Sequence, residues 1–254
     1  MQETKKFKAA DGKTILVEVN SKKGNKSAVL VVHGFTSHIR VGCLCNAAMQ
    51  WPEKGYDVWR LSLYPGAPDT RRMDDVTWKD NQSDCDIVLG KMVEADYTDI
   101  FGLGHSLGGT NIVYADNARI KAKALWDPAC NEGADGAAPV SLHPDYYTLY
   151  WDHLTLVPKG YTHEAIGATH YPEPLPKQPP LLVIQSEETR RGRDKSKPRD
   201  WPMEKLPAKL TEVLGSDHFF SREGNEKELF RLTLQFFKDV LSGKEKKGKP
   251  GMAL

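Results

Sequence analysis

The chain has 254 residues, of which 39% are hydrophobic and 27% charged, with 35 Lys and Arg against 34 Asp and Glu. That length and composition fit one large or two small globular domains with a sizeable core, and exclude a charge-driven disordered chain. The formal net charge of +1 argues against a general nucleic-acid binder.

Residues 1–6 are polar and lead into no apolar h-region, so no secretory signal is expected. Residues 5–10 and 14–20 straddle Asp11-Gly12, a dipeptide that suits a hairpin. Residues 28–32, Ala-Val-Leu-Val-Val, form a continuous apolar run suited to a strand buried on both faces. It falls far short of the ~18 residues of a membrane span. No integral membrane segment is expected, and a cytoplasmic location follows unless a leader has been removed.

After His33-Gly34-Phe35, residues 47–54 read as a short helix stopped by Gly55. Residues 57–63 are the next strand, ended by Pro65, Gly66 and Pro68. A helix is expected over 78–95, with Cys85, Val88, Leu89 and Met92 at helical spacing. Strands over 99–104, 122–126, 181–184 and 209–214 and helices over 107–118 and 226–241 follow, with Leu229, Leu232, Phe236, Phe237 and Val240 on one face of the last helix. Strands alternating with helices predict an α/β fold, a mostly parallel sheet covered on both faces. The alternation stops between Cys130 and Pro180, a stretch too long for an ordinary connection and therefore read as a lid or functional loop. Pro144 is suited to start a helix there, with Tyr146, Tyr147, Tyr150, Trp151 and Leu154 near one face. The expected organisation is a single domain over 1–254, a cap insert at 131–179 and a frayed tail at 244–254. Cys43, Cys45, Cys85 and Cys130 are too few for a disulfide scaffold. Cys43-x-Cys45 lacks the second pair of a zinc site, so these read as packed thiols.

Gly104-His105-Ser106-Leu107-Gly108-Gly109 is the sharpest signal. It lies between a buried-strand run and a helix, the context in which Gly-x-Ser-x-Gly turns a strand directly into a helix. Such a turn strains the central residue, and the flanking glycines remove side chains that would clash. Ser106 is then held with its hydroxyl exposed, at a helix N-terminus that favours developing negative charge.

With the His33-Gly34-Phe35 loop before this elbow and Asp217-His218-Phe219-Phe220 before the last helix, the chain resembles the α/β-hydrolase superfamily, in its serine esterase and lipase-like branch. The order and spacing of the three segments carry the resemblance over nearly the whole chain. It implies an α/β-hydrolase fold with a short lid insert. It also implies Ser106 as nucleophile, His218 as base, and the backbone N–H groups of Phe35 and Leu107 as the oxyanion hole. His33 is expected to bond the oxyanion loop, and His105 to pack under the elbow. His143, His153, His163 and His170 read as polar lid residues.

The acid departs from the family's pattern. The usual position falls on Thr189, in Gln185-Ser186-Glu187-Glu188-Thr189. Asp127, in a Trp-Asp-Pro-Ala stretch one strand earlier, keeps the order Ser, Asp, His and is the leading candidate. Glu187 and Glu188 are the alternatives, with Asp194 more remote. Asp217 is expected to shape the turn before His218.

The expected activity is cleavage of carboxylic esters of small to medium acyl groups through an acyl-enzyme. The substrate is a small-molecule acyl ester, and neither a cofactor nor a metal is called for. A thioesterase, peptidase or acyltransferase would use the same nucleophile. The rival from another class is a hydrolase-fold binding or receptor-like protein with an incomplete triad, suggested by Thr189. The aromatics of the insert and the cationic stretch from Arg190 to Arg199 are read as lid packing and a solvated face, with substrate contact as the alternative.

Overall fold

The computed structural model describes residues 1–116, 118–129, 146–150, 154–169, 171, 174–191 and 201–245. Strands β1 (Gln2–Lys8) and β2 (Thr14–Asn20) form an antiparallel hairpin. Its five-residue connection places Gly12 at φ 84 and bonds Ala9 N–H to the Lys13 carbonyl at 2.9 Å. The buried run becomes β3 (Ser27–Val32). Helix α1 (Gly42–Gln50) begins five residues before the expected start at 47, and Trp51–Lys54 tightens into a 3₁₀ turn. Pro52, which has no N–H to donate to an α-helix, sits in that turn, and Gly55 closes it at φ 96.

Strand β4 (Tyr56–Ser62) leads to α2 (Trp78–Glu94), which opens on a reciprocal cap between Thr77 and Asp80. Then come β5 (Asp99–His105), α3 (Leu107–Tyr114) and β6 (Ala122–Trp126). Helix α3 ends four residues before the expected 118. Lys123 Nζ receives its last carbonyls, donating to Val113 O at 2.9 Å and Ala115 O at 3.4 Å.

The insert overturns one expectation. Tyr146–Tyr150 and Leu154–Pro158 are strands, β7 and β8, paired antiparallel with Tyr146 opposite Pro158. The spacing of Tyr146, Tyr147 and Tyr150 suits a helix, but the segment's aromatic and β-branched residues prefer a pleated surface once an antiparallel partner is at hand. The helix lies later, at α4 (Lys159–Thr169). Pro144 and Trp151 lie outside the described residues. The chain ends in β9 (Leu181–Ser186), α5 (Glu187–Arg191), β10 (Lys209–Val213) and α6 (Asn225–Leu241).

The main sheet has eight strands in the order β1-β2-β4-β3-β5-β6-β9-β10. From β4 to β10 every pairing is parallel. Alternate side chains of the central strands feed opposite layers. Ala28, Leu30 and Val32 pack with Val88, Leu89 and Met92 of α2 and Ile112 and Val113 of α3. Val29 and Val31 pack with Leu44 and Ala47 of α1 and Leu229, Phe236 and Phe237 of α6. The Phe101 and Phe237 rings stack at 4.3 Å. Each fully buried side chain of this size stabilises the fold by roughly 1.5–3 kcal/mol. Among the described residues, no helix is long and apolar enough to cross a membrane.

Candidate active site

Strand order reverses at β3, which has β4 on one side and β5 on the other. In open α/β sheets the crevice outside the carboxyl ends of the strands at such a point is where ligands bind. The register brings successive strand ends level there. Val32 pairs with Gly104, His105 with Trp126, and Trp126 with Ile184. The next residues continue the ladder, with Ser106 N–H on Trp126 O at 3.0 Å and Asp127 N–H on Ile184 O at 2.7 Å. Ser106, Asp127 and Ser186 thus stand on three neighbouring strand ends.

Ser106 has φ 54 and ψ −124, a region costly for a non-glycine residue. The glycines around it are required by contact. A Cβ on Gly104 would lie 2.2 Å from Gly108 O, one on Gly108 2.2 Å from Val32 O, and one on Gly34 2.9 Å from Ser106 Cβ. Ser106 is half-buried, and its Oγ makes no hydrogen bond among the described residues.

The loop after β3 is fixed from below. His33 is fully buried, and burial holds its pKa down at about 4. Its Nε2 accepts the Leu63 N–H at 3.1 Å, which leaves the proton on Nδ1 to donate to Gly34 O at 2.9 Å. Tyr64 also donates to Gly34 O, at 2.7 Å. With that carbonyl tied down, the same trans peptide carries the Phe35 N–H on its opposite side. Neither Phe35 N–H nor Leu107 N–H has a partner among the described residues.

His218 follows β10 and approaches from the far side. Its Nδ1 lies 2.5 Å from Asp127 Oδ2; the Asp127 side chain is 0% exposed and the imidazole 37%. Asp127 has φ 45, a second left-handed residue at the site. His105 packs beneath with its ring 4.7 Å from that of His218 and its Nε2–H on the His218 carbonyl at 2.8 Å. Burial, then the charge of His218, lowers the His105 pKa to about 4, so that ring is neutral.

The other candidate acids are not brought to His218. Glu187 accepts the Gly215 N–H at 2.5 Å, and Glu188 pairs with Arg222 at 3.2 Å. Asp194 lies outside the described residues. Burial works to raise the Asp217 pKa, but donors from Ser221 and Phe219 hold it below the usual value while Asp217 ties the turn before the last helix.

In the sequence, position 189 stands only as an empty acid position. Thr189 Oγ1 in fact donates to Asp127 Oδ2 at 2.6 Å, and Ser186 supplies both Oγ–H and N–H to the same carboxylate at 2.9 Å. The sequence carries no periodicity for these donors; their only trace is a hydroxyl at the position where the resemblance implies an acid.

Two elements of the insert wall the site. Val157 of β8 and Tyr161 and Ala165 of α4 cluster with Leu107, Val76 and Phe35. The Tyr161 ring stacks on Phe35 at 5.9 Å, and its hydroxyl accepts from Asn81 at 3.0 Å. Phe219 is 46% exposed beside His218 and forms part of the rim. Of the cationic stretch, Arg190 pairs with Glu212, and residues 192–199 lie outside the described residues. So do His143, His153 and His170 and the fourth cysteine, Cys130. Cys43, Cys45 and Cys85 are free thiols, and burial pushes Cys43 up to about 12. Among the described residues, no three His, Cys, Asp or Glu side chains are grouped to hold a metal ion.

No family model matches the sequence, and no curated protein matches it. Solved structures do. Est1E from Butyrivibrio proteoclasticus is 18% identical, with a TM-score of 0.71 over 94% of this chain and 99% of that one. A soluble variant of monoglyceride lipase from Saccharomyces cerevisiae, in complex with a substrate analogue, is 12% identical, with a TM-score of 0.72 over 94% and 95%. Mouse alpha/beta hydrolase domain-containing protein 10 is 16% identical, with a TM-score of 0.65 over 94% and 99%. At these TM-scores and coverages the chain has the α/β-hydrolase fold.

Proposed function

We propose that the protein is a serine hydrolase that cleaves carboxylic esters of small to medium acyl groups. One observation carries the reading: a strained serine at the switch point shares its strand-end row with a buried aspartate bonded to a half-exposed histidine. Because His218 Nδ1–H donates to Asp127, the lone pair of this imidazole is on Nε2. Nε2 takes the Ser106 proton as Oγ attacks the ester carbonyl carbon. The former carbonyl oxygen becomes an oxyanion, and the Phe35 and Leu107 N–H groups stabilise it. The intermediate collapses with the proton returned from Nε2 to the departing alcohol. Water, activated by the same imidazole, attacks the acyl-enzyme and releases the acid. Asp127 stays ionised throughout and stabilises the imidazolium.

The limit on acyl size rests on Tyr161, Phe35 and Val157, which fill the space next to Leu107 with apolar side chains. The esterase and lipase names among the structural neighbours, and the ferulic acid bound to Est1E, agree with carboxylic ester chemistry.

A fluorophosphonate probe tests the reading directly. Stoichiometric labelling of the wild type, with neither labelling nor p-nitrophenyl acetate or butyrate turnover in Ser106→Ala, is the expected result. A folded wild type that resists labelling would overturn the proposal in favour of a binding protein on the hydrolase scaffold.

A further inference from the structure

The carboxylate of Asp127 is surrounded by donors, all but one of them from one short segment. Oδ1 accepts the Ser186 N–H at 2.9 Å. Oδ2 accepts His218 Nδ1–H at 2.5 Å, Thr189 Oγ1–H at 2.6 Å and Ser186 Oγ–H at 2.9 Å. Ser186 Oγ in turn accepts the Thr189 N–H at 3.1 Å, which turns its own proton toward Asp127. The end of β9 and the start of α5 therefore close around a fully buried carboxylate.

We infer that Thr189 is a positioning residue that sets the orientation and basicity of the Asp127 carboxylate, and through it the proton affinity of His218. The inference rests on the hydrolase reading above. An ionised carboxylate with no protein donor except the imidazole would concentrate its charge on Nδ1–H and be free to rotate about its last side-chain torsion. The hydroxyl donors divide that charge and fix the carboxylate plane. Thr189 thus contributes through a hydrogen bond from the place where its relatives' pattern puts the acid itself. The chemistry needs one carboxylate at this point, not one particular strand to carry it.

Thr189→Val keeps the side-chain shape and removes the donor. Charge returns to the Asp127–His218 bond, so the imidazole binds its proton more tightly. The acidic limb of the kcat/KM profile on p-nitrophenyl butyrate is expected to move to higher pH by roughly half a unit. At the plateau, kcat is expected to fall about tenfold, the size of one lost charge-assisted hydrogen bond, with KM little changed because Thr189 does not touch substrate. Thr189→Ser restores the donor, and with it the limb and most of the rate. Should Thr189→Val fail to fold, Thr189→Cys, with its weaker donor, is read the same way. A merely structural role in holding α5 would lower the melting temperature and leave the limb in place, and that result would overturn the inference. An unlabelled wild type discards the hydrolase reading. A labelled wild type whose valine variant keeps both kcat and the limb discards only the role of Thr189.

Discussion

At the scale of single residues, steric exclusion and hydrogen bonding do different work. Gly104→Ala would press a Cβ to 2.2 Å from the Gly108 carbonyl oxygen, and backbone cannot yield as a flexible side chain can. A loss of roughly 3 kcal/mol or more is expected in urea unfolding. Gly34→Ala is a subtler change, since its Cβ would meet Ser106 Cβ at 2.9 Å. It should slow probe labelling at Ser106 while shifting the unfolding midpoint far less than Gly104→Ala does. Asp127→Asn is expected to lower kcat by up to ~10⁴, as a misoriented imidazole does in a well-studied triad, while Glu188→Gln leaves turnover unchanged. The need for Gly104 is legible in the sequence because its clash arises within the elbow, four or five residues on, whereas the clashes at Gly108 and Gly34 arise between the elbow and the β3 end and are not local. The acid is not legible in the same way. Asp127, Glu187 and Glu188 differ in how β6, β9 and the turn after β10 meet, and no local pattern reports that meeting.

At the scale of elements, period separates what the sequence discloses from what it conceals. The continuous burial of β3 follows from its unbroken apolar run and the apolar face of α6 from residue spacing, and both lie where the sequence puts them. Segment 146–150 has helical spacing but strand-favouring residue types, so only its partner strand decides between them. Helix α4 has no strong apolar stripe in the sequence, yet it sets Tyr161 on Phe35. Tyr161→Ala should open the space beside Leu107 and move the best p-nitrophenyl ester to a chain two or more carbons longer. Tyr161→Phe, which loses only the Asn81 hydrogen bond, should keep the original preference. An unchanged profile in the alanine variant would show that the acyl group lies elsewhere.

At the scale of the whole molecule, two buried imidazoles tie stability to pH. His33 and His105 titrate near 4 in the fold against about 6.5 in the unfolded chain. Between these values the unfolded state binds more protons, so stability rises with pH and is lost as pH falls from 6.5 toward 4. Two groups set a limiting slope of about 2.7 kcal/mol per pH unit. His33→Gln should flatten the fall of unfolding free energy between pH 6 and 4.5 by about half, and an unaltered slope would count against that burial as the cause. The fold class is legible because alternation and order survive any detail of packing; the depth at which each histidine sits is not, since it depends on every layer above it. The row of strand ends that carries Ser106, Asp127 and Ser186 is held by main-chain bonds, whereas the wall beside it comes from the connection between β6 and β9. Evolution can therefore retailor the guest list through that connection, one ring at a time, without disturbing the reacting atoms.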